Sequence, residues 1–103
     1  MIDKAFKMQV HPDFYLEYEK RHNELWPEMR DILKNHGVLQ YHIFLDHTTG
    51  SLFAHAKIES EERWTEISKA DVCRRWWDYM ADIMDVNDDN SPLSIELKNV
   101  FEL

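Results

Sequence analysis

Two runs of alternating residues, Val38 to Asp46 and Ser51 to Glu59, flank the polar segment His47-Thr48-Thr49-Gly50. That segment has the length that joins antiparallel strands, so the centre of the chain is a β-hairpin and the remaining elements must build a sheet around it. Leu39, Tyr41, Ile43 and Leu45 share one face of the first run, and Val38, Gln40, His42 and Phe44 share the other. Pairing Asp46 with Ser51 sets Tyr41 opposite Ala56, Ile43 opposite Ala54 and His42 opposite His55. Two alanines beside Tyr41 leave room on that face for a pocket.

The flanking segments supply the rest of the sheet and its cover. Ile2 to Val10 alternates as a strand, with Phe6, Met8 and Val10 on one side. Pro12 and Asp13 open a helix with Phe14, Leu16, Tyr18, His22 and Leu25 on its broad apolar face, and Pro27 restarts a second helix that Asn35-His36-Gly37 ends. Ser60 caps a helix carrying Trp64 and Ile67, and Asp71 caps another in which Val72, Cys73, Trp76, Trp77, Met80, Ile83 and Met84 form a wide stripe. Leu93, Ile95, Leu97, Phe101 and Leu103 share one parity in a final strand. The order strand, helices, strand, strand, helices, strand is the split βαβ pattern of an α+β, ferredoxin-like fold in one domain, residues 1–103. Helices then cover one face of an antiparallel sheet. Val38, Phe44 and Phe53 leave the other face partly apolar, which predicts a homodimer closing a dimeric α/β barrel.

Composition narrows the partners. A formal net charge of −8 over 103 residues lacks the clustered cations that bind nucleic acid or anionic membranes. No apolar run approaches a membrane span, the N-terminus lacks a signal-peptide pattern, and a single cysteine permits no intrachain disulfide, so the expected location is cytoplasmic. Cys73 sits among Val72, Trp76 and Trp77 and reads as a small buried hydrophobe rather than a nucleophile.

Chemistry concentrates in Tyr18-Glu19-Lys20-Arg21-His22-Asn23-Glu24-Leu25-Trp26-Pro27. Tyr18 and His22 stand four apart, on one helical face, so a phenol and an imidazole point to one spot and suit proton transfer to a small polar ligand. The same spacing also describes an ordinary amphipathic helix. His42 and His55 face each other across the hairpin, but a metal site needs further ligands that the sequence does not place beside them. Adjacent helical residues point about 100° apart, so Trp76 and Trp77 divide between core and cleft.

The chain resembles the L-rhamnose mutarotases over nearly its whole length. The resemblance is carried by Lys4-Ala5-Phe6 with Met8-Gln9-Val10, Tyr18 with Arg21-His22-Asn23 and Trp26-Pro27-Glu28, Tyr41 with Leu45-Asp46, Ile58 to Trp64, Asp71 to Met80, and Asn90-Ser91-Pro92. Asp88 stands where the family pattern has proline, and His42 is a variable neighbour of Tyr41. The resemblance implies a cofactor-free, metal-free homodimer that interconverts the α- and β-anomers of L-rhamnose. It places the proton donor on His22 and the substrate contacts on Tyr18, Tyr41, Trp76 and Trp77. Anomer exchange opens the hemiacetal by protonating the ring oxygen while the anomeric hydroxyl loses its proton, and His22 is the expected donor to the ring oxygen. The base stays open among Tyr18, Tyr41, a carboxylate and water. Trp76 and Trp77 offer aromatic faces to the sugar's C–H patch and methyl group. Fold alone also admits a small dimeric monooxygenase, or a non-catalytic module that binds a sugar or haem.

Overall fold

The hairpin forms in the expected register. Asp46 N donates to Ser51 O at 2.8 Å and Gly50 N to Asp46 O at 2.8 Å, and Tyr41 pairs with Ala56, Ile43 with Ala54 and His42 with His55. In this computed structural model, which describes residues 1–103, the chain runs β1 (Ile2–Gln9), α1 (Tyr15–Asn23), α2 (Pro27–Asn35), β2 (Val38–Leu45), β3 (Ser51–Ile58), α3 (Glu61–Ile67), α4 (Asp71–Met80) and β4 (Ile95–Glu96). The strands lie in the order β2-β3-β1-β4, with every neighbouring pair antiparallel. This is the ferredoxin-like arrangement.

Gly50 makes the tight hairpin possible. Its φ is +78°, and a Cβ there would lie 2.7 Å from Gln9 Nε2 and 2.8 Å from Val10 O. Both the left-handed backbone and the close approach of β1 exclude a side chain.

One end of β2 departs from simple alternation. A bulge between Val38 and Gln40 inserts Leu39, so Val38 pairs with Ile58 and packs against the core instead of the outer face. An inserted residue reverses the facing of everything before it. The outer face therefore takes its apolar surface from Phe44 and Phe53, both exposed, and not from Val38.

The inner face carries the core. Met8 and Val10, with Leu52 and Ala54 of β3, meet Ile67, Val72, Cys73, Trp76, Met80, Ile83 and Met84. The inward residues are Tyr15 and Tyr18 on α1 and Leu25 just beyond its end, whereas Leu16 is 81% exposed. Tyr18 and Leu25 are inward as expected, whereas Tyr15, the first residue of α1, takes the inward place expected of Phe14 and Leu16. Arg21 ties α1 to the end of α4: its guanidinium bonds Glu17 at 2.8 Å, Tyr79 O at 2.7 Å and Asp82 at 2.9 Å, and lies over the Tyr79 ring.

Caps follow the sequence in one helix and not in the other. Ser60 Oγ accepts from Arg63 N at 3.2 Å and starts α3. Ala70 is the N-cap of α4, and Asp71 is already helical, with its carboxylate bonded to Arg75 Nε at 2.9 Å instead of capping. An i, i+4 ion pair competes successfully for that carboxylate.

The final strand is much shorter than its parity suggested. Only Ile95 and Glu96 pair with β1, opposite Lys7 and Phe6, and Leu97 N adds a bond to Ala5 O at 2.8 Å. Beyond them, Phe101 N turns to Asn99 Oδ1 at 3.0 Å. A local asparagine bond of this kind draws the backbone away from a ladder. Val100, Phe101 and Leu103 are exposed.

Candidate functional site

An open cavity of about 1170 Å³ lies against the inner face, and all five expected site residues line it: Tyr18 and His22 from α1, Tyr41 from β2, and Trp76 and Trp77 from α4. Sheet topology brings β2 and the two helices together, although they are separated by tens of residues in the chain.

Tyr18 and His22 stack with ring centroids 4.3 Å apart at 26°. His22 Nδ1 lies 3.0 Å from Tyr18 O. A carbonyl oxygen only accepts, so Nδ1 carries the hydrogen and Nε2 is left with its lone pair in the neutral ring. Burial lowers the His22 pKa below its ordinary value of 6.5, a shift that the bond to Tyr18 O only partly opposes. At neutral pH the ring is therefore an uncharged imidazole with Nε2 as the acceptor.

The tyrosines are driven the other way. Tyr18 is buried, and burial pushes its phenol well above 10, with Tyr41 adding to the shift. Burial likewise raises Tyr41. Neither is a phenolate at neutral pH, which removes both from the open choice of base and leaves them as neutral hydroxyl groups. Phe6 meets Tyr41 edge-on at 6.3 Å and Trp64 lies 5.9 Å from it. These two aromatics hold Tyr41 in place, and sequence reasoning missed them because their contact depends on β1, β2 and α3 coming together.

The tryptophan pair divides as expected. Trp76 is 6% exposed, with its ring edge-to-face with His22 at 5.5 Å and Trp26 at 5.1 Å. Trp77 is only partly buried. Trp26, just before α2, also stacks on Tyr79 at 5.6 Å and so backs the wall behind His22. Cys73 is buried, and burial pushes its thiol up to about 11. That makes it a poor nucleophile.

The remaining histidines have structural partners. His11 Nε2 lies 3.0 Å from Asp85, His55 Nε2 lies 2.9 Å from Asp3, and His36 Nδ1 donates to Ile32 O at 2.9 Å. His47 packs edge-on against Tyr15, and His42 stacks near Phe44. No group of three or more His, Cys, Asp or Glu side chains gathers at metal-holding spacing. No helix is long and apolar enough to cross a membrane.

Comparison with known proteins identifies the family and the fold. Residues 3–103 match the L-rhamnose mutarotase family. A Shigella flexneri protein named L-rhamnose mutarotase is 56% identical over 103 residues, covering 100% of this chain and 99% of its own length. The crystal structure of an L-rhamnose mutarotase from Formosa agariphila superposes with a TM-score of 0.92 at 42% identity, over 100% of this chain and 99% of that one. A dimeric ferredoxin-like protein from an uncultured marine organism shares only the fold, with a TM-score of 0.63 at 10% identity over 98% and 95% of the two chains. A match this long and this close makes the chain a member of the L-rhamnose mutarotase family.

Proposed function

We propose that this protein interconverts the α- and β-anomers of L-rhamnose, with His22 moving the proton. The observation that carries the reading is a partly buried, neutral imidazole whose Nδ1 is fixed by Tyr18 O, leaving Nε2 for a ligand in the cavity. In a pyranose the anomeric hydroxyl and the ring oxygen are bonded to the same carbon, so one nitrogen can reach both. Nε2 takes the anomeric proton and passes it to the ring oxygen as the C1–O5 bond breaks, giving the open-chain aldehyde. Rotation about C1–C2 presents the opposite carbonyl face, and the same proton returns to the carbonyl oxygen as the ring closes. His22 is thus the proton donor to the ring oxygen, and its own neutral form is the base that the sequence left open. Tyr18 and Tyr41 orient hydroxyl groups, and Trp77 lays an aromatic face on the sugar's apolar side.

The pH dependence tests this order of events. Because the His22 pKa is lowered and the neutral form must act first, kcat/KM should be flat around pH 7 and fall as the pH drops through a value below 6.5. The limiting slope is about tenfold per pH unit. A rate that rises on acidification would mean that a pre-formed imidazolium acts instead. Stability has the same sign: the unfolded chain takes a proton at this histidine more readily than the folded one, so His22 weakens the fold as the pH falls below 6.5.

The functional unit in this reading is a homodimer that buries the outer face of the sheet. Phe44 and Phe53 are paired neighbours there and both are exposed, which is costly in a monomer. Analytical ultracentrifugation at micromolar concentration should give twice the mass of the chain, and replacing Phe53 with Asp should shift the population toward monomer. A single-chain mass for the native protein at every concentration would contradict the dimer.

A further inference from the structure

We propose that Arg74 is a positioning residue for sugar binding, clamping the Asn87–Pro92 loop against α4 with Trp77 held beneath its guanidinium. The proposal rests on the mutarotase reading of the cavity. Arg74, Trp77 and Asp78 fall at i, i+3 and i+4 on α4, so Trp77 and Asp78 both neighbour Arg74 on one face of the helix. The Arg74 guanidinium lies over the Trp77 ring, 5.2 Å from its centre, and its Nη1 reaches Asp89 Oδ2 at 3.1 Å. One residue on from Trp77, Asn90 Nδ2 bonds Asp78 Oδ1 at 3.0 Å. The loop therefore has two side-chain ties to α4, one from the residue over Trp77 and one from the residue next to it in the chain.

Within itself the loop is closed. Asn87 N donates to Ser91 O at 2.8 Å, Asn87 Nδ2 bonds Ser91 Oγ at 3.0 Å, and Ser91 N donates to Asp89 Oδ1 at 3.0 Å. Asn90 takes a left-handed conformation, φ +67°, that asparagine tolerates better than most residues. Asp89 joins the inner bonds to an outer tie, since its carboxylate accepts from both Ser91 N and Arg74 Nη1, so the outer ties set where the loop stands and how firmly it stays closed. Asn87, Asn90, Ser91 and Pro92 line the same cavity as Trp77 and His22. Moving the loop would shift a polar rim and unseat the indole together, and both would act on sugar binding rather than on the proton at His22.

Arg74 and Asp89 are both about half exposed, so their pairing adds little to global stability. Its effect should be local. Arginine is required in particular because a lysine ammonium can pair with Asp89 but has no planar fork to lie over the indole.

The test compares Arg74→Ala and Arg74→Lys with the native protein by anomer-exchange kinetics on L-rhamnose, thermal unfolding and amide hydrogen exchange. For Arg74→Ala the expected result is a KM raised about three- to tenfold, with kcat and the unfolding temperature little changed. The Asn87 and Ser91 amides should exchange faster while the β1–β3 amides do not. Arg74→Lys should recover part of the loop protection and part of the KM. An unchanged KM, or kcat falling in step with the unfolding temperature, would overturn the clamp. Failure of the native protein to speed the exchange would instead overturn the mutarotase reading, and that outcome is seen before either variant is measured.

Discussion

Replacing His22 with Ala should slow anomer exchange by on the order of 10²–10⁴-fold while leaving the fold and its assembly in place. The magnitude follows from removing the cavity imidazole that Tyr18 O fixes as a neutral acceptor near working pH. Tyr18 and Tyr41 cannot substitute, because burial holds both phenols in their protonated form. Folding should survive because His22 is only partly buried, and its bond to Tyr18 O lies within one helix. His22→Asn separates position from protonation: it keeps a polar group at the site but cannot cycle a proton, so it should be nearly as slow as the alanine variant. Circular dichroism and unfolding temperature would check the fold, and one-dimensional exchange spectroscopy on L-rhamnose would check the rate. A His22→Ala protein that exchanges anomers at the native rate would remove His22 from the mechanism.

The adjacent tryptophans should respond to truncation in opposite ways. Trp76 is buried at the meeting point of His22, Trp26 and Tyr79. Trp76→Ala should cost about 3–5 kcal/mol of stability, through lost burial and the cavity left behind. Activity should fall with it, since the ring that abuts His22 is gone. Trp77 is more exposed, and one of its faces is covered by Arg74. Trp77→Ala should change stability by less than about 1 kcal/mol and raise KM more than it lowers kcat. Denaturant unfolding followed by kinetics on each variant would separate the two. Equal losses of stability would show that both indoles are core residues and that neither contacts the sugar. Trp77→Phe keeps an aromatic face but loses the indole N–H, and it should fall between native and alanine in KM.

The sheet was legible wherever alternation is local. The hairpin register follows from the four-residue loop and the Asp46–Ser51 pair, and it is observed residue for residue through Leu45 and Leu52. The bulge at Leu39 was hidden because an inserted residue keeps the composition of a strand while reversing its facing. β4 was overread for a related reason: parity records which residues could share a face, and cannot tell whether a partner strand continues beside them. The Asn99 turn ends the pairing beyond Leu97, so Phe101 and Leu103 have no partner strand.

Within the cavity, the i, i+4 spacing of Tyr18 and His22 and the alanines opposite Tyr41 were enough to suggest a site. The resemblance then selected its members, and the fold places all five around one space. The supporting aromatics Phe6, Trp26 and Trp64 were not legible as such, since each acts through a contact between elements distant in sequence. The state of the site was also invisible in one dimension. That His22 is neutral with Nδ1 engaged, and that both phenols are held protonated, depends on burial and on a backbone oxygen aimed at a ring nitrogen.

Saturation-transfer NMR on L-rhamnose at its anomeric equilibrium reads the proposed reaction without a coupled assay. Saturating the α-anomeric proton in the presence of native protein near pH 7 should transfer to the β-anomeric proton at a rate proportional to protein concentration, well above the buffer rate. The transfer should be lost on replacing His22 with Ala. Equal transfer with and without native protein, at saturating sugar and with the fold verified in the same sample, would contradict the assignment.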